Sequence, residues 1–167
     1  MQTFLPYPDF RKSAQYLDYR RLGKQRVEVL QLLNTFMPEY SSKGWLNHPA
    51  RLMWKNYEVS LAVYGLAICD EWKNRDYKDT CYDKILHLGF RLANFKTKPF
   101  YIYKPHLKLI DCSVNPPWFG NEDFHASHRS NLLRKDRVWY DQFGWKEPNN
   151  LPYIWPKASL QTSNNMI

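Results

Sequence analysis

Residues 17 to 37 read LDYRRLGKQRVEVLQLLNTFM, and this stretch decides what kind of fold the chain adopts. Apolar residues recur through it three residues apart, as they do along one face of an α-helix, at Val27, Leu30, Leu33 and Phe36. This spacing predicts an amphipathic helix over residues 24 to 37, which ends at the proline that follows.

The opposite face of this helix carries polar side chains at the same period: Arg21, Lys24, Gln25, Glu28 and Gln31. Residues three and four apart lie side by side on a helix, so these form one stripe if the helix begins near residue 21. A stripe of this kind is either a solvated surface or a binding face.

Working outward, the rest of the chain predicts further helices around this one. A short helix follows Ser13 and ends before Gly23. Residues 50 to 73 keep a helical apolar period and predict one long, largely buried helix. Asp79 and Asn121 stand where the N-caps of two more helices are expected, and the second of these helices continues to about residue 135.

Between these helices, residues 96 to 123 contain four prolines among aromatic and lysine residues, which predicts a long irregular segment. Residues 100 to 103 are the one place within it where we expect a short strand. The predicted fold is therefore mainly α. We expect a compact single helical domain with long irregular loops over residues 1 to 160, and a flexible C-terminal tail over residues 161 to 167.

The composition indicates the kind of partner. The 167 residues carry a net charge of +8 at pH 7, and 17% of them are aromatic. Positive charge attracts phosphate groups, and aromatic rings offer flat faces on which bases stack. Neither feature decides alone, because basic proteins without a specific ligand and aromatic residues in cores are both common. Together they predict a nucleotide or a nucleic acid as partner.

Several classes of site are missing from the sequence. It has no G-x-x-x-x-G-K-[ST] or G-x-G-x-x-G phosphate loop and no G-x-S-x-G nucleophile motif. We therefore expect no cofactor. His125 and His128 stand three residues apart, as metal ligands on a helix do, but no third ligand is evident, so we expect no metal site.

Two features indicate the cellular location. No apolar run is long enough to cross a membrane, and the first ten residues lack the pattern of a signal peptide. The cysteines are Cys69, Cys81 and Cys112, an odd and widely spaced set that is typical of free thiols. We expect a cytoplasmic protein, in a bacterium or a virus-infected host, with no membrane contact.

Three basic, amide-rich segments are candidates for ligand binding: residues 20 to 28, 47 to 48 and 125 to 135. Arg and Lys bind phosphates, amides read base edges, and a tryptophan such as Trp45, Trp54 or Trp118 can stack on a base. A solvated helix face is the alternative for the third segment. The candidate ligand-binding residues are Arg21, Lys24, Gln25, Arg26, Asn47, His48, His125, His128, Arg129, Asn131 and Lys135.

The same segments resemble the pyrimidine dimer DNA glycosylase family, in particular its bacterial and viral branch. The resemblance rests on residues 17 to 28 (LDYRRLGKQRVE), on Asn47-His48-Pro49 and on residues 125 to 133 (HASHRSNLL). It implies a compact, mainly helical fold whose N-terminus lies beside the active site.

The resemblance also implies a mechanism in which an N-terminal α-amine attacks a sugar carbon to give an imine and a glutamate drives strand cleavage. Two positions depart from this pattern. Arg21 stands where the family has its glutamate, and Gln2 is too large for Met1 to be removed readily. The catalytic candidates are therefore Met1 and Glu28, which lies about two turns farther along the stripe, roughly 10 Å away.

Two functions are compatible with these residues. In the first, the scaffold has lost its lyase groups and grips a nucleotide without catalysis, for example as a viral sponge for a cyclic nucleotide immune signal held near an interface of a homo-oligomer. In the second, the protein is a DNA glycosylase with AP lyase activity on damaged pyrimidines, using Met1 or Lys24 as nucleophile and Glu28 as base. The sequence favours the first, because Arg21 replaces the family's glutamate.

Overall fold

The computed structural model describes residues 1–42, 44–95, 102–103, 108–109 and 115–156. The predicted tail over residues 161 to 167, Cys112 and most of the predicted irregular segment lie outside the described residues. The single-domain boundary at residue 160 stays a prediction.

The described chain is mainly helical, as the sequence predicts. The α-helices are α1 (Phe10–Tyr16), α2 (Tyr19–Asn34), α3 (Pro49–Trp54), α4 (Glu58–Asn74), α5 (Tyr82–Phe95), α6 (Glu122–Lys135) and α7 (Arg137–Tyr140). A 3-10 turn, Asp141–Phe143, follows α7. Two short antiparallel strands, β1 (Ile102–Tyr103) and β2 (Lys108–Leu109), pair Ile102 with Leu109 and Tyr103 with Lys108. The strand expected within residues 100 to 103 is thus present.

Helix α2 begins at Tyr19, several residues earlier than predicted. The Asp18 carboxylate caps it by accepting hydrogen bonds from the backbone N–H groups of Arg20 (2.9 Å) and Arg21 (3.2 Å). The short helix expected before Gly23 is α1, which ends at Tyr16, and Gly23 itself lies inside α2. The helix therefore includes the whole polar stripe from residue 21 to residue 31.

The apolar face of α2 is also rotated from the predicted one. Val27 is 43% exposed, whereas the buried aliphatic residues are Leu22, Val29, Leu32 and Leu33. Both sets satisfy helical spacing, so periodicity alone could not choose between them. The rotation places Gln25 and Glu28 on the buried side of the helix.

The long helix predicted over residues 50 to 73 is wrong, because the chain breaks into α3 and α4. Asn56 adopts a left-handed backbone conformation, with φ of 72°, and its N–H donates to the Glu58 carboxylate (3.0 Å). Asparagine tolerates this conformation better than most residues. Both helices contribute to the core, because Ala50, Met53 and Trp54 of α3 are fully buried and α4 is buried along most of its length.

Helix α4 is the centre of the core, and it packs against α1, α2 and α5. It is buried on nearly every side from Glu58 to Cys69. Helix α5 is capped by the Asp79 carboxylate, as predicted, and its Ile85, Leu88 and Leu92 point inward. In the part of the chain that the structure describes, no helix is both long enough and apolar enough to cross a membrane.

Helix α6 begins at the Asn121 cap and ends at Asp136, close to the prediction. The chain after α7 has little regular structure and packs back onto α6. The Leu151 carbonyl accepts from the Asn131 amide (3.0 Å), and the Ile154 N–H donates to the Ser127 hydroxyl (3.3 Å). Hydrogen bonds therefore hold the chain after α7 against α6.

Gly65 of α4 lies in close contact with α2 and α5. A Cβ added there would lie 2.5 Å from Val29 Cγ1 and 3.2 Å from Ile85 side-chain atoms. We predict that Gly65→Ala lowers the free energy of unfolding by about 1 to 2 kcal/mol, because overpacking outweighs the gain in helix propensity. Urea unfolding measures it. Gly44→Ala, whose new Cβ would meet only Ser42 at 3.8 Å, is the control and should change stability by less than about 0.5 kcal/mol. A neutral Gly65→Ala would contradict the packing described.

Candidate functional site

The first six residues form an extended segment that is buried between helices α2 and α6. Thr3 and Leu5 are fully buried, and Gln2 and Phe4 are each 6% exposed. Because this segment belongs to no helix or strand, its backbone groups must find other partners. Side chains of neighbouring helices supply these partners.

Gln25 of α2 supplies the partners on one side. Its carbonyl oxygen accepts from the Phe4 N–H (3.0 Å), and its amide nitrogen donates to the Gln2 carbonyl (2.6 Å). The same nitrogen donates to Glu28 Oε2 (2.8 Å), and the Tyr64 hydroxyl donates to the Gln25 carbonyl oxygen (2.7 Å). Gln25, predicted to bind a ligand, thus holds the N-terminal segment against α2.

Helix α6 supplies the partners on the other side. His128 Nδ1 accepts from the Leu5 N–H (3.0 Å), and His125 Nδ1–H donates to the Leu5 carbonyl (2.8 Å). Arg129 donates to the Pro6 carbonyl (2.7 Å). Thus three of the polar residues that marked α6 in the sequence bind the backbone of the same short segment.

These α6 side chains have further protein partners. His125 Nε2 accepts from the Gly120 N–H (3.0 Å), and Arg129 pairs with the carboxylates of Glu147 (2.6 Å) and Glu122. The Asn131 amide donates to the Ser127 carbonyl (2.8 Å) as well as to the chain after α7. His125, His128 and Asn131 are fully buried, and Arg129 is 7% exposed. The ligand-binding role expected for the four stays a prediction, and none of them lines the cavity described next.

A cavity of about 330 Å³ opens beside the N-terminal segment. Its lining residues are Met1, Gln2, Phe4, Arg20, Arg21, Lys24, Gln25, Glu28, Lys135 and Tyr153. Six of these were singled out in the sequence, and the exceptions are Gln2, Phe4, Arg20 and Tyr153. Arg20 had a sequence signal, because it precedes Arg21 in the basic motif, whereas nothing in the sequence links Tyr153 to this place.

Glu28 is the carboxylate of this cavity, and it is only 7% exposed. Its Oε2 atom lies 3.4 Å from the Gln2 backbone nitrogen, and its Oε1 atom lies 3.4 Å from Lys24 Nζ. The N-terminal segment runs along α2, so the carboxylate two turns into the helix lies at the first peptide bond of the chain. Along α2, Glu28 lies roughly 10 Å beyond the position of Arg21. Because the N-terminal segment extends along the helix, this distance does not separate Glu28 from Met1.

Arg21, at the position where the sequence lacks the expected glutamate, is largely neutralised by other groups. It pairs with Asp18 (3.0 Å) and Asp136 (3.7 Å) and donates to the Lys135 carbonyl at the end of α6. These contacts turn its charge toward the junction of α2 and α6. They leave Glu28 as the carboxylate beside the N-terminus.

Basic groups crowd the other wall of the cavity. Burial, followed by the charges of Arg21, Arg134 and Lys24, lowers the pKa of Lys135. A lysine whose pKa is lowered by neighbouring cations lies in a region of positive potential. Such a region attracts an anion, and phosphate is the anion that the composition of the chain suggests.

His48 lies close enough to the α-amine and to Glu28 for both charges to affect its pKa. Its Nδ1 atom accepts from the Ala50 N–H (3.1 Å) and caps α3, so Nε2 carries the ring proton. Burial, and then the positive α-amine, lowers the pKa of His48, while the Glu28 carboxylate opposes the shift. His48 is therefore neutral at pH 7 and presents an N–H donor.

Aromatic rings lead from the cavity to the surface past His48. The ring of Tyr153, which lines the cavity, lies 5.7 Å from that of Trp155, which lies 6.2 Å from the His48 ring. Trp45 lies 5.1 Å from His48 and is 37% exposed. Of the three tryptophans considered for stacking, Trp45 is thus exposed beside the site, whereas Trp54 and Trp118 belong to the core.

The other predicted site residues lie elsewhere. Arg26 pairs with Asp79 (2.5 Å) and lies 4.1 Å from the centre of the Trp72 ring, outside the cavity. Asn47 is exposed in the loop before His48. Across the described ranges, no group of three or more His, Cys, Asp or Glu side chains is arranged to hold a metal ion.

A larger hollow of about 410 Å³ lies between α1 and α4, but its charges are already paired. Asp70 pairs with Lys73 (3.1 Å), and Glu71 pairs with Arg75 (2.7 Å). The smaller cavity at the N-terminus joins an amine, a buried carboxylate and crowded cations, so we take it as the candidate active site.

Comparison with models of known protein families gives a match. A family model described as pyrimidine dimer DNA glycosylase matches residues 1–85, which include the N-terminal segment, α2 with Glu28, and the His48 cap. No curated protein matches the chain, and neither does any solved structure.

The buried histidines of α6 make stability depend on pH. Burial, and then the neighbouring His125, lowers the pKa of His128 from 6.5 to about 3, and burial lowers that of His125. Below pH 6.5 the unfolded chain therefore binds protons that the folded protein excludes. We predict that the free energy of unfolding falls by about 1.4 kcal/mol per pH unit on account of His128 as the pH falls from 6 to about 4.5, and that His125 adds to this fall.

Urea unfolding at several pH values measures this slope. His128→Asn keeps an acceptor for the Leu5 N–H and should remove one histidine's share of the slope, whereas His87→Asn changes an exposed histidine of α5 and is the control. Hydrogen bonds that outweigh burial lower the pKa values of Asp18 and Asp79 below 3.8, so those groups act only at lower pH. A slope unaltered by His128→Asn would contradict this assignment.

Proposed function

Because the chain belongs to the pyrimidine dimer DNA glycosylase family, we propose that it acts on DNA as a glycosylase and AP lyase, with the α-amine of Met1 as nucleophile and Glu28 as base. One observation carries this proposal: the buried Glu28 carboxylate lies 3.4 Å from the Gln2 backbone nitrogen, in the same cavity as Met1. An amine and a carboxylate at one cavity are the two groups that imine chemistry at a sugar carbon needs.

The reaction follows from these two groups. The unprotonated amine attacks C1′ of a nucleotide turned out of the DNA, so that an N–C1′ bond forms while the bond to the base breaks. The base leaves with the bonding electrons and takes up a proton, and opening of the sugar ring gives an imine. The Glu28 carboxylate then removes a C2′ proton, and the 3′ phosphate leaves as the C2′–C3′ double bond forms.

Neighbouring groups fit the same reaction. The negative charge of Glu28 stabilises the positive charge that develops at C1′. Neutral His48, whose pKa responds to the α-amine and to Glu28, offers Nε2–H as a hydrogen-bond donor that can orient water for hydrolysis of the imine. The cations Arg20 and Lys135 line the cavity where the phosphates of the flanking backbone would lie.

Gln25 explains how the nucleophile is held in place. Its bonds to Phe4, Gln2 and Glu28 fix the N-terminal segment and the carboxylate relative to each other through one amide group. Preorganisation of this kind lowers the entropy cost of bringing reacting groups together. The proposal places Gln25 as a positioning residue rather than as a ligand contact.

A second candidate function is non-catalytic capture of a nucleotide, such as sequestration of a cyclic nucleotide immune signal by a viral protein, with the ligand near a homo-oligomer interface. The observation that favours it is the excess of cations in the cavity, where Arg20, Lys24 and Lys135 face one carboxylate, Glu28. Both functions place the protein in the cytoplasm, where the buried thiols Cys69 and Cys81 remain free.

The nucleophile can be identified by trapping with borohydride, which reduces an imine to a stable protein–DNA bond. We predict that the purified protein, with a free Met1 amine verified by intact mass, is trapped on DNA that contains an abasic site. Two residues added before Met1 should abolish trapping, because they move the amine out of the cavity. Lys24→Ala is the control and should still be trapped. If Lys24→Ala abolishes trapping and the extension does not, the nucleophile is the lysine.

The base is tested by Glu28→Gln, which keeps the shape of the side chain and an oxygen that can accept from Gln25. We predict that strand cleavage slows by roughly 100-fold or more, because no carboxylate remains to remove the C2′ proton, whereas DNA affinity changes little. Cleavage under single-turnover conditions and fluorescence anisotropy measure the two quantities. Unchanged cleavage would remove Glu28 from the mechanism.

The cations are tested by the salt dependence of DNA binding. We predict that Lys135→Ala weakens binding and reduces the slope of log Kd against log salt by about 1, because one phosphate contact is lost. Lys146→Ala, an exposed lysine that does not line the cavity, is the control. Tight binding of a cyclic dinucleotide, seen as a raised melting temperature, together with no trapping on any DNA, would favour capture over catalysis.

A further inference from the structure

The proposed function leaves unexplained a pair of exposed aromatic rings beside the cavity. Tyr19 is 54% exposed and Tyr77 is 39% exposed, and their ring centres lie 5.0 Å apart. We propose that this pair, the tyrosine platform, stacks an unpaired nucleobase next to the nucleotide that enters the cavity. The proposal rests on the proposed function, because it takes the ligand of the cavity to be a nucleic acid strand.

The tyrosine platform stands on a rigid base. Trp72, only 7% exposed, lies beneath both rings, with its ring centre 5.3 Å from that of Tyr19 and 4.3 Å from that of Tyr77. Its indole N–H donates to the Lys78 carbonyl (3.0 Å), and the Arg26 guanidinium lies 4.1 Å from its ring centre. Rings that are ordered before binding lose little entropy when a base stacks on them.

The α2 motif builds this base with residues that the catalytic proposal does not use. Gly23 has no Cβ, and an added one would lie 3.0 Å from the Trp72 ring. The absence of a side chain there lets the indole lie directly against α2. Arg26, which the sequence suggested as a phosphate ligand, instead holds Trp72 and pairs with Asp79. At 100° per residue, Tyr19, Gly23 and Arg26 lie on the face of α2 opposite the cavity residues Lys24, Gln25 and Glu28, and Arg20 lies between the two faces.

Position and charge point to a nucleic acid strand as the occupant. Tyr19 and Arg20 are consecutive in the first turn of α2, and Arg20 lines the cavity, so the platform is continuous with the proposed DNA surface. Each tyrosine is followed in sequence by an exposed cation, Tyr19 by Arg20 and Tyr77 by Lys78, and Asp76 is the exposed carboxylate that precedes Tyr77. Exposed rings beside cations are what single-stranded nucleic acid binds, since bases stack and phosphates pair.

The test uses short single-stranded oligonucleotides with one abasic site and 2-aminopurine, a fluorescent base that stacking quenches, placed one or two nucleotides to either side. For the unaltered protein we expect quenching at one of these positions. Tyr19→Ala and Tyr77→Ala should each remove the quenching and weaken binding by about tenfold. Tyr19→Phe and Tyr77→Phe should retain both, because stacking uses the ring and not the hydroxyl.

Two controls keep the result interpretable. Phe90→Ala removes an aromatic side chain of similar exposure, 41%, on α5, and should leave quenching unchanged. Tyr19→Leu keeps an apolar contact with Trp72 without a flat ring, so it tests stacking if Tyr19→Ala fails to fold. Thermal melting establishes that each variant is folded.

Borohydride trapping on the same oligonucleotides separates this inference from the proposed function. If the protein is trapped and both alanine variants still quench the fluorescence, the platform proposal is wrong and the enzyme proposal stands. Quenching that depends on the tyrosines, without trapping on any oligonucleotide, supports the base site and overturns the chemistry. If sedimentation shows a dimer that Tyr19→Ala converts to a monomer, with no effect on DNA, the surface binds a second copy of the chain and the proposal is wrong.

Discussion

The structure depends on how the backbone of the N-terminal segment is satisfied. An extended segment buried outside any sheet exposes its N–H and C=O groups to the interior, and each unpaired group would cost about 1 to 3 kcal/mol. Gln25 and Tyr64 meet them from one side, while His125, His128 and Arg129 meet them from the other. The position of the chain's first residues is therefore set by side chains from α2, α4 and α6.

This constraint explains why α6 is so polar although it is buried. A helix that packs only against other helices has an apolar face, but one that supports an extended segment needs donors and acceptors there. His128 shows the cost: it must stay neutral, and its Nε2 atom has no hydrogen-bond partner among the described residues. The polar residues of α6 thus hold the N-terminal segment in place on the side away from α2.

Much of the fold and part of the site could be predicted from the sequence. The stripe through Arg21, Lys24, Gln25 and Glu28 was visible as helical spacing. What could not be predicted is which groups the stripe faces. Donors three and four residues apart can bind a ligand or a buried backbone equally well. The sequence therefore suggested ligand binding for Gln25 and for the polar residues of α6, whose contacts in the structure are with the chain itself.

Two errors have local causes of the same kind. The break between α3 and α4 falls at Asn56, where no glycine or proline marks it and a left-handed asparagine turns the chain. Helix α2 has aliphatic residues on both sides, so the helical period of apolar residues does not decide which side is buried. Packing against α4 buries Val29 rather than Val27. In both places a tertiary contact decides between two local conformations that are equally compatible with the sequence.

The path of the N-terminal segment also bears on the missing family glutamate. Read along α2 alone, Arg21 in that place inverts the charge and argues against lyase chemistry. In three dimensions Asp18 and Asp136 compensate Arg21, and the amide of Gln25 joins Glu28 to the Gln2 carbonyl. Since a base acts by where it lies and not by its place in a motif, a carboxylate two turns later can take the same part when the N-terminal segment extends along the helix toward it. The substitution at residue 21 therefore weighs less against catalysis than the sequence alone suggests.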